Sequence, residues 1–369
     1  MKLAVISHTE HYRTPDGHIV GWGPTVRELN HLLELFEEIW HIAVLHEGPA
    51  PPSALPYLSD KIHFVPLRPF GGPRLIDKLG ILWQAPAVIR TVRQTLKKVD
   101  WWQFRAPTGI GVLLIPYLSW FVRKPGWFKY AGNWAQENPP PGYRWQRFWL
   151  ARLQKRKVTI NGRWPGQPEH CLSFENPCLD EEERRKGAEI IARKDYSGPL
   201  EACFVGRLED AKGVGRILEA FQVPEVAAHF SRLHLVGDGP KRKEYEALAK
   251  TLPVPVIFHG FLSRDKVAEV MGTCHLFLLP SDSEGFPKVV AEAANYGCTP
   301  LVSNVSSIPH YIDDTNGYLW DIGNATFTGF LKQALSTKTT LLPKAKQAYQ
   351  LAEQFTFDRF VTRIKRELL

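Results

Sequence analysis

Ser283-Glu284-Gly285-Phe286-Pro287-Lys288-Val289-Val290-Ala291-Glu292 places two carboxylates, a glycine and a helix start within one short stretch. Proline suits the first turn of a helix, where its missing N–H is not needed, and the residue before it is biased toward extended backbone. The helix is therefore predicted to begin at Pro287 and to run through Val289, Val290, Ala291, Ala293 and Ala294 until Gly297, a residue suited to the left-handed cap that ends helices. Backbone N–H groups around Gly285 to Val289 then lack partners and carry roughly half a positive charge, which attracts phosphate. Glu284 sits beside that anion hole, and Glu292 lies about 7.5 Å further along the helix. Carboxylates touching a phosphate would repel it. They make better sense as hydrogen-bond acceptors for hydroxyls, one set on a sugar and one on a ribose. A lone pair of this kind reads as readily as a solvated helix with an acidic first turn, so the surrounding loops decide.

Those loops follow a regular rhythm. Ala202–Gly206, Arg232–Val236, Val256–His259, Leu276–Leu279 and Pro300–Ser303 are predicted strands, each followed by a helix or a Gly/Pro loop, as in a parallel α/β sheet. Ligands of such sheets bind outside the carboxyl ends of the strands. After the first strand comes Gly206-Arg207-Leu208-Glu209-Asp210-Ala211-Lys212-Gly213, whose Arg207 and Lys212 are two cations able to clamp a diphosphate. After the second comes Gly237-Asp238-Gly239-Pro240, a turn tight enough for backbone to approach a ligand. Gly260-Phe261-Leu262-Ser263 follows the third, with apolar side chains placed to flank a nucleobase. Each loop alone is an ordinary connection; their occurrence together, in this order, points to one site.

The first half repeats the rhythm. Leu3–Ser7 is a predicted strand and Pro24–Ile39 a predicted helix, with Val26, Leu29, Leu32, Leu33 and Phe36 at helical spacing. Further strands are expected at Ile42–Leu45, Ile62–Pro66, Trp101–Arg105, Trp127–Ala131 and Val158–Ile160. A chain of 369 residues exceeds what one core usually supports. We expect a domain at 1–178, joined by a final helix at about 353–369, and a second at 179–352.

Hydrophobic content of 44% and charged content of 23% describe an ordinary soluble protein. No signal sequence is visible at the N-terminus, and the longest apolar run, Gly109 to Val122, is short and broken by Gly111 and Pro116. The five cysteines show no CxxC pairing, which suits buried thiols in a reducing cytoplasm. Charge is uneven: residues 1–178 hold 22 Lys and Arg against 13 Asp and Glu, whereas the rest hold 24 against 25. Eleven of the 12 tryptophans also fall in the basic half. That mixture suggests a membrane surface or a polyanion as a partner.

Over about residues 202–320 the chain resembles the retaining GT-B glycosyltransferases of family 4, the glycosyl transferases group 1. FVGRLEDAKGV, LHLVGDGP, FHGFLSRDKV, LPSDSEGFPKVVAEAANYGCTPLVS and NGYLW follow that family's order and spacing. Glu175-Asn176-Pro177 resembles its domain-junction segment, and Phe355-Thr356-Phe357-Asp358-Arg359-Phe360 its returning final helix. The resemblance implies two Rossmann-like domains facing across a cleft, the first adapted to the acceptor and the second holding a UDP- or GDP-linked sugar. By the same resemblance Glu284 would hold donor-sugar hydroxyls and Glu292 the ribose. Arg207 and Lys212 would stabilise the leaving diphosphate. Gly237, Gly260, Leu262 and the backbone of Gly285, Phe286, Pro287 and Lys288 would line the donor, and Gly23 resembles part of the family's Gly-Gly loop. Such enzymes need no metal, and the sequence shows no DxD-type site and no His cluster at ligand spacing. Relatives carry a His near the end of a first-domain strand; here the segment reads Phe128-Lys129-Tyr130-Ala131-Gly132-Asn133-Trp134. Asn133 is the candidate replacement as a hydrogen-bond donor, and His8, at the expected end of the first strand, is a second. Anomeric retention rests on the resemblance alone.

Transfer to a glycan or lipid-linked acceptor, in surface polysaccharide biosynthesis, is the expected activity. Tyr143 to Lys157 sets Trp145, Phe148, Trp149 and Leu153 at helical spacing against a basic face, and Arg90, Arg93, Lys97 and Lys98 add a second basic helix. Both are expected to rest on an anionic membrane at its cytoplasmic face, or equally to turn an aromatic stripe to the core. A GT-B-like sugar-nucleotide epimerase, a phosphorylase and a basic nucleic-acid-binding protein are the alternatives. The first two fit the EGFPKVVAE pattern or the chain length poorly, and no nucleic-acid motif supports the third.

Overall fold

The computed structural model describes residues 1–69 and 75–369. Contacts divide the chain into two compact units, Met1–Glu175 with Phe360–Leu369, and Asn176–Arg359. The sequence places the first boundary at Cys178 and begins the returning helix at about 353. In the structure the second division falls inside the helix Phe357–Glu367.

Unit 1 contains β1 (Lys2–Arg13), β2 (Ile19–Trp22), β3 (Glu38–His46), β4 (Ala54–Pro56), β5 (Ile62–Leu67), β6 (Trp101–Ala106), β7 (Gly126–Tyr130), β8 (Val158–Ile160) and β9 (Cys171–Ser173). Seven of these pair in parallel in the order β5-β3-β1-β6-β7-β8-β9. Side chains of a strand alternate between faces, and β1 shows it. Leu3 and Val5 join a cluster with Leu29, Leu32, Phe36 and, from the chain end, Phe360, Ile364 and Leu368; Ala4 and Ile6 join the opposite core with Trp102, Phe104 and Phe128.

Three expectations for unit 1 change. The first helix is Gly23–Leu32, not Pro24–Ile39, because Phe36 and Ile39 reach the same core by turning into β3. β1 runs past Ser7, and its His11–Arg13 end pairs antiparallel with Ile19–Gly21, so His8 lies within the strand and not at its end. The segment from Tyr143 is not one helix: Pro141–Phe148 gives way to a π-helical turn at Trp149–Leu153. The wider turn shifts the stripe, so Trp149 and Leu150 are buried while Phe148 is exposed.

Unit 2 contains β10 (Leu200–Val205), β11 (Phe230–Val236), β12 (Val256–Gly260), β13 (Leu276–Leu279), β14 (Thr299–Ser303) and β15 (Tyr318–Trp320). All pair in parallel, in the order β12-β11-β10-β13-β14-β15. The chain first steps outward from β10 to β12 and then returns to the other side of β10. That reversal sets the loops after β10 and β13 side by side, the place at which doubly wound sheets bind ligands.

Candidate functional site

The two loops at the reversal are tied together by contacts of their own. After β10 the chain makes a short 3-10 turn, Asp210–Lys212, and enters the helix Val214–Phe221 through Gly213, whose φ is 79°. Only glycine fits there: a Cβ on Gly213 would lie 2.0 Å from the Pro280 carbonyl oxygen. From the loop after β13 Asp282 donates its N–H to Ala211 O at 2.9 Å. Arg216 donates to Pro280 O at 2.7 Å and to the Asp282 carboxylate at 2.6 Å.

This framework brings Lys212 Nζ to 2.6 Å from Glu284 Oε1. The glutamate side chain is 9% exposed and the lysine 27%. Arg207 stands nearer solvent, 66% exposed, with its Nε 3.2 Å from Glu209. Gly285 O accepts from Ser307 Oγ at 2.9 Å, and Glu284 N–H donates to Ser306 Oγ at 3.4 Å. Phe286 is buried and stacks on Phe355 at 4.6 Å between ring centroids, so its side chain anchors the loop and leaves only its backbone for a ligand. The helix that follows is Lys288–Asn295 with Pro287 as its N-cap, one residue later than predicted, and Gly297 takes the expected left-handed conformation, φ 72°. Lys288 Nζ donates to Pro177 O at 2.8 Å.

Gly237, the turn glycine expected to let backbone approach a ligand, also meets a close contact within the fold. Its φ is 123°, and a Cβ there would lie 1.9 Å from the Gly206 carbonyl oxygen. The glycine lets the loops after β10 and β11 stack on each other, which is a demand of packing. Beyond it Gly260 ends β12, Phe261 is exposed and Leu262 half-buried.

Sequence reading missed Arg264, the first residue of the helix Arg264–Thr273. Its Nη1 lies 2.6 Å from Glu292 Oε1, its Nε donates to Glu183 and its Nη2 to Cys178 O. Burial alone would lower its pKa, but Glu292 and Glu183 outweigh that and raise it. Arg264 thus joins the loop after β12 to the carboxylate on the helix after β13. The capping box of Asp180 and Glu183 fixes the third corner. Nothing in the FHGFLSRDKV spacing distinguishes this arginine from a surface charge.

Gly23 and Asn133 belong to unit 1. The Gly23 N–H is donated to Ser53 O at 3.2 Å. Asn133 follows β7, and its side-chain oxygen accepts from the Ala135 N–H at 3.1 Å in a tight turn. Glu201, His234 and Cys274, far apart in sequence, come within metal-ligating reach of one another. They lie by the starts of β10 and β13 and midway along β11, away from the loops at the strand ends. His234 Nε2 is 3.1 Å from Glu201 and Nδ1 2.9 Å from His259 Nε2, so hydrogen bonds already occupy both ring nitrogens.

Comparison with known proteins agrees with this architecture. Residues 188–349 match the family model described as Glycosyl transferases group 1. N-acetyl-alpha-D-glucosaminyl L-malate synthase of Bacillus anthracis is 36% identical over 137 residues, covering 36% of this chain and 34% of that protein. Sulfoquinovosyl transferase SQD2 of Arabidopsis thaliana is 26% identical over 168 residues, covering 44% and 32%. The matched region spans about a third of these curated relatives. Among solved structures, Anabaena HepE in complex with UDP superposes with a TM-score of 0.72 at 16% identity, over 100% of this chain and 99% of that one. WaaG, a glycosyltransferase involved in lipopolysaccharide biosynthesis, gives 0.64 at 18%, over 99% of both. The fold is GT-B, built from two parallel-sheet, Rossmann-like α/β domains.

Proposed function

We propose that this chain, whose residues 188–349 match the Glycosyl transferases group 1 family model, moves a sugar from a nucleotide-diphosphate donor to a glycan or lipid-linked acceptor with retention at the anomeric carbon. The observation that carries the reading is the Lys212–Glu284 pair at the strand reversal of unit 2, beside the N-terminus of the helix Lys288–Asn295. The diphosphate takes Lys212, Arg207 and the helix N–H groups; Glu284, released from its ion pair, accepts hydroxyls of the donor sugar. Glu292, oriented by Arg264, accepts from the ribose. As the glycosidic bond breaks, negative charge grows on the leaving diphosphate, where these fixed cations stabilise it most. No metal enters this scheme. UDP is the first nucleotide to test, since the HepE structure holds it, with GDP second.

Relatives named for surface polymers and glycolipids, such as the amylovoran biosynthesis glycosyltransferase AmsD of Erwinia amylovora, favour polysaccharide assembly as the setting. An anionic membrane at its cytoplasmic face is the proposed place of work. Exposed Trp120, Phe121 and Phe148 support it, as do nine Lys and Arg against one Glu between residues 120 and 157. No helix among the described residues is long and apolar enough to cross a membrane.

The test is a thermal-shift and product-release screen of UDP- and GDP-sugars, with Glu284→Ala and Arg207→Ala as controls. Stabilisation by one nucleotide class, diminished in Arg207→Ala, is expected. No response to any nucleotide would overturn the reading.

A further inference from the structure

Unit 1 carries a depression of about 310 Å³ lined by Trp134, Arg152, Trp164, Pro165 and Gln167. It lies where β7 and β8 end, the side of a parallel sheet at which ligands gather. Trp134 directly follows Asn133 in the loop after β7, and Trp164 stands four residues beyond the end of β8.

Both indoles are held in place by the protein. Trp134 packs edge-on against Tyr130, with ring centroids 5.1 Å apart and planes at 88°. Its loop is stapled by Arg147, which donates to Trp134 O and, at 2.9 Å, to Gln136 O. Trp164 donates its Nε1–H to Asn161 O at 2.8 Å, and its backbone N–H goes to Gln167 Oε1 at 3.2 Å. Each indole is half-buried, so part of each ring system remains uncovered in a fixed orientation. Arg152 reaches solvent at the rim.

Flat aromatic surfaces that are fixed and partly exposed, with the Arg152 guanidinium at the rim, match the two chemistries of a sugar. A pyranose ring presents C–H groups on one face, which pack on the negative face of an indole, and hydroxyls around its edge, which need donors and acceptors. The volume is at the small end for ligand sites, roughly 300–1,000 Å³, and suits one ring better than a chain. We propose that this depression binds one pyranose ring of the glycan acceptor. The word acceptor rests on the transferase reading above; the sugar site itself does not.

Saturation-transfer NMR of the full chain with methyl glycosides of glucose, galactose, mannose and N-acetylglucosamine tests it. At least one glycoside is expected to bind, with transfer concentrated on the C–H groups of one ring face and stronger on aromatic than on methyl irradiation. Trp134→Ala and Trp164→Ala should each weaken binding tenfold or more, while Trp164→Phe, which keeps a flat ring, stays within a few-fold. Glycoside titration should also shift the indole Nε1–H resonances of Trp134 and Trp164 in the parent protein, a readout tied to this depression that needs no substitution; saturable glycoside binding that moves neither would overturn the proposal. No binding by any of the four glycosides, or binding that survives both alanine variants, would overturn the proposal. The nucleotide thermal shift reports separately on unit 2. Glycoside binding without a nucleotide response would leave the sugar site standing and remove the transferase reading; the reverse result would remove this site alone.

Discussion

Lys212 Nζ lies 2.6 Å from Glu284 Oε1, although 72 residues separate them. The strand order makes this possible: β10 and β13 are hydrogen-bonded neighbours, so the loops leaving them rise side by side. On the proposed function, a donor that takes Lys212 by its diphosphate and Glu284 by its sugar hydroxyls breaks this pair as it binds.

Glu284→Gln keeps the shape and removes the charge. Transfer should fall on the order of 10²–10³, the range seen when one preorganised polar group is lost, while nucleotide binding changes less than tenfold. Steady-state kinetics beside a nucleotide thermal shift separates the two. Loss of nucleotide binding with normal turnover of bound donor would contradict the assigned role.

If Glu292 holds the ribose as proposed, Arg264, paired with it at 2.6 Å, acts through it, and its substitution should be read mainly in KM. Arg264→Ala is expected to raise the donor KM about tenfold with a much smaller change in kcat, because the ribose contact is made equally in ground and transition states. Arg264→Lys should recover part of the loss. A deoxyribose donor should show a smaller penalty in the variant than the ribose donor does; an equal penalty would mean that Arg264 only supports the fold.

Burial pushes the His11 imidazole down to about 4, with His46 adding to the effect against the Thr9 and Val44 carbonyls. The unfolded chain titrates near 6.5, so between those values it binds more protons than the folded protein. Stability is complete above about pH 6.5 and is lost as pH falls toward 4, by on the order of 3 kcal/mol for this one group. His41, bonded to Ser7 at 2.8 Å and to Tyr57 at 2.7 Å, is shifted in the same direction by burial. Chemical denaturation from pH 7.5 to 4 should show the decline, and His11→Asn, though less stable at pH 7.5, should show a shallower one.

Trp120 and Phe121 are 62% and 74% exposed at the end of the helix Gly111–Trp120, and Trp120 rests on Trp149 at 4.6 Å between rings. Trp120→Ser with Phe121→Ser should cut sedimentation with anionic vesicles several-fold and leave the melting temperature within a few degrees. Equal, negligible sedimentation of the parent protein with neutral and anionic vesicles would remove the membrane reading.

Much of unit 2 was legible in the residues. Leu276–Leu279 begins and ends where predicted, and the other four predicted strands of that unit differ by a residue or two at their ends. Their signals are local: short apolar runs bounded by glycine, and a proline that marks a helix start. Unit 1 was harder where a local pattern had two solutions. The spacing of Leu32, Phe36 and Ile39 fits a continued helix as well as a turn into a strand, and the core accepted the second. The π-helical turn at Trp149 likewise leaves no mark in composition.

The rhythm of strands and helices, the proline-marked start of the helix Lys288–Asn295 and the types of side chain near it are written in the residues, because backbone preference and hydrophobic period act over a few positions. Which side chains meet is set by the folding of the whole domain. Lys212 with Glu284, Arg264 with Glu292 and Glu183, and Trp134 beside Trp164 are brought together by strand order. Strand order is chosen by burial of whole sheet faces, a sum over the domain that no short stretch of sequence records.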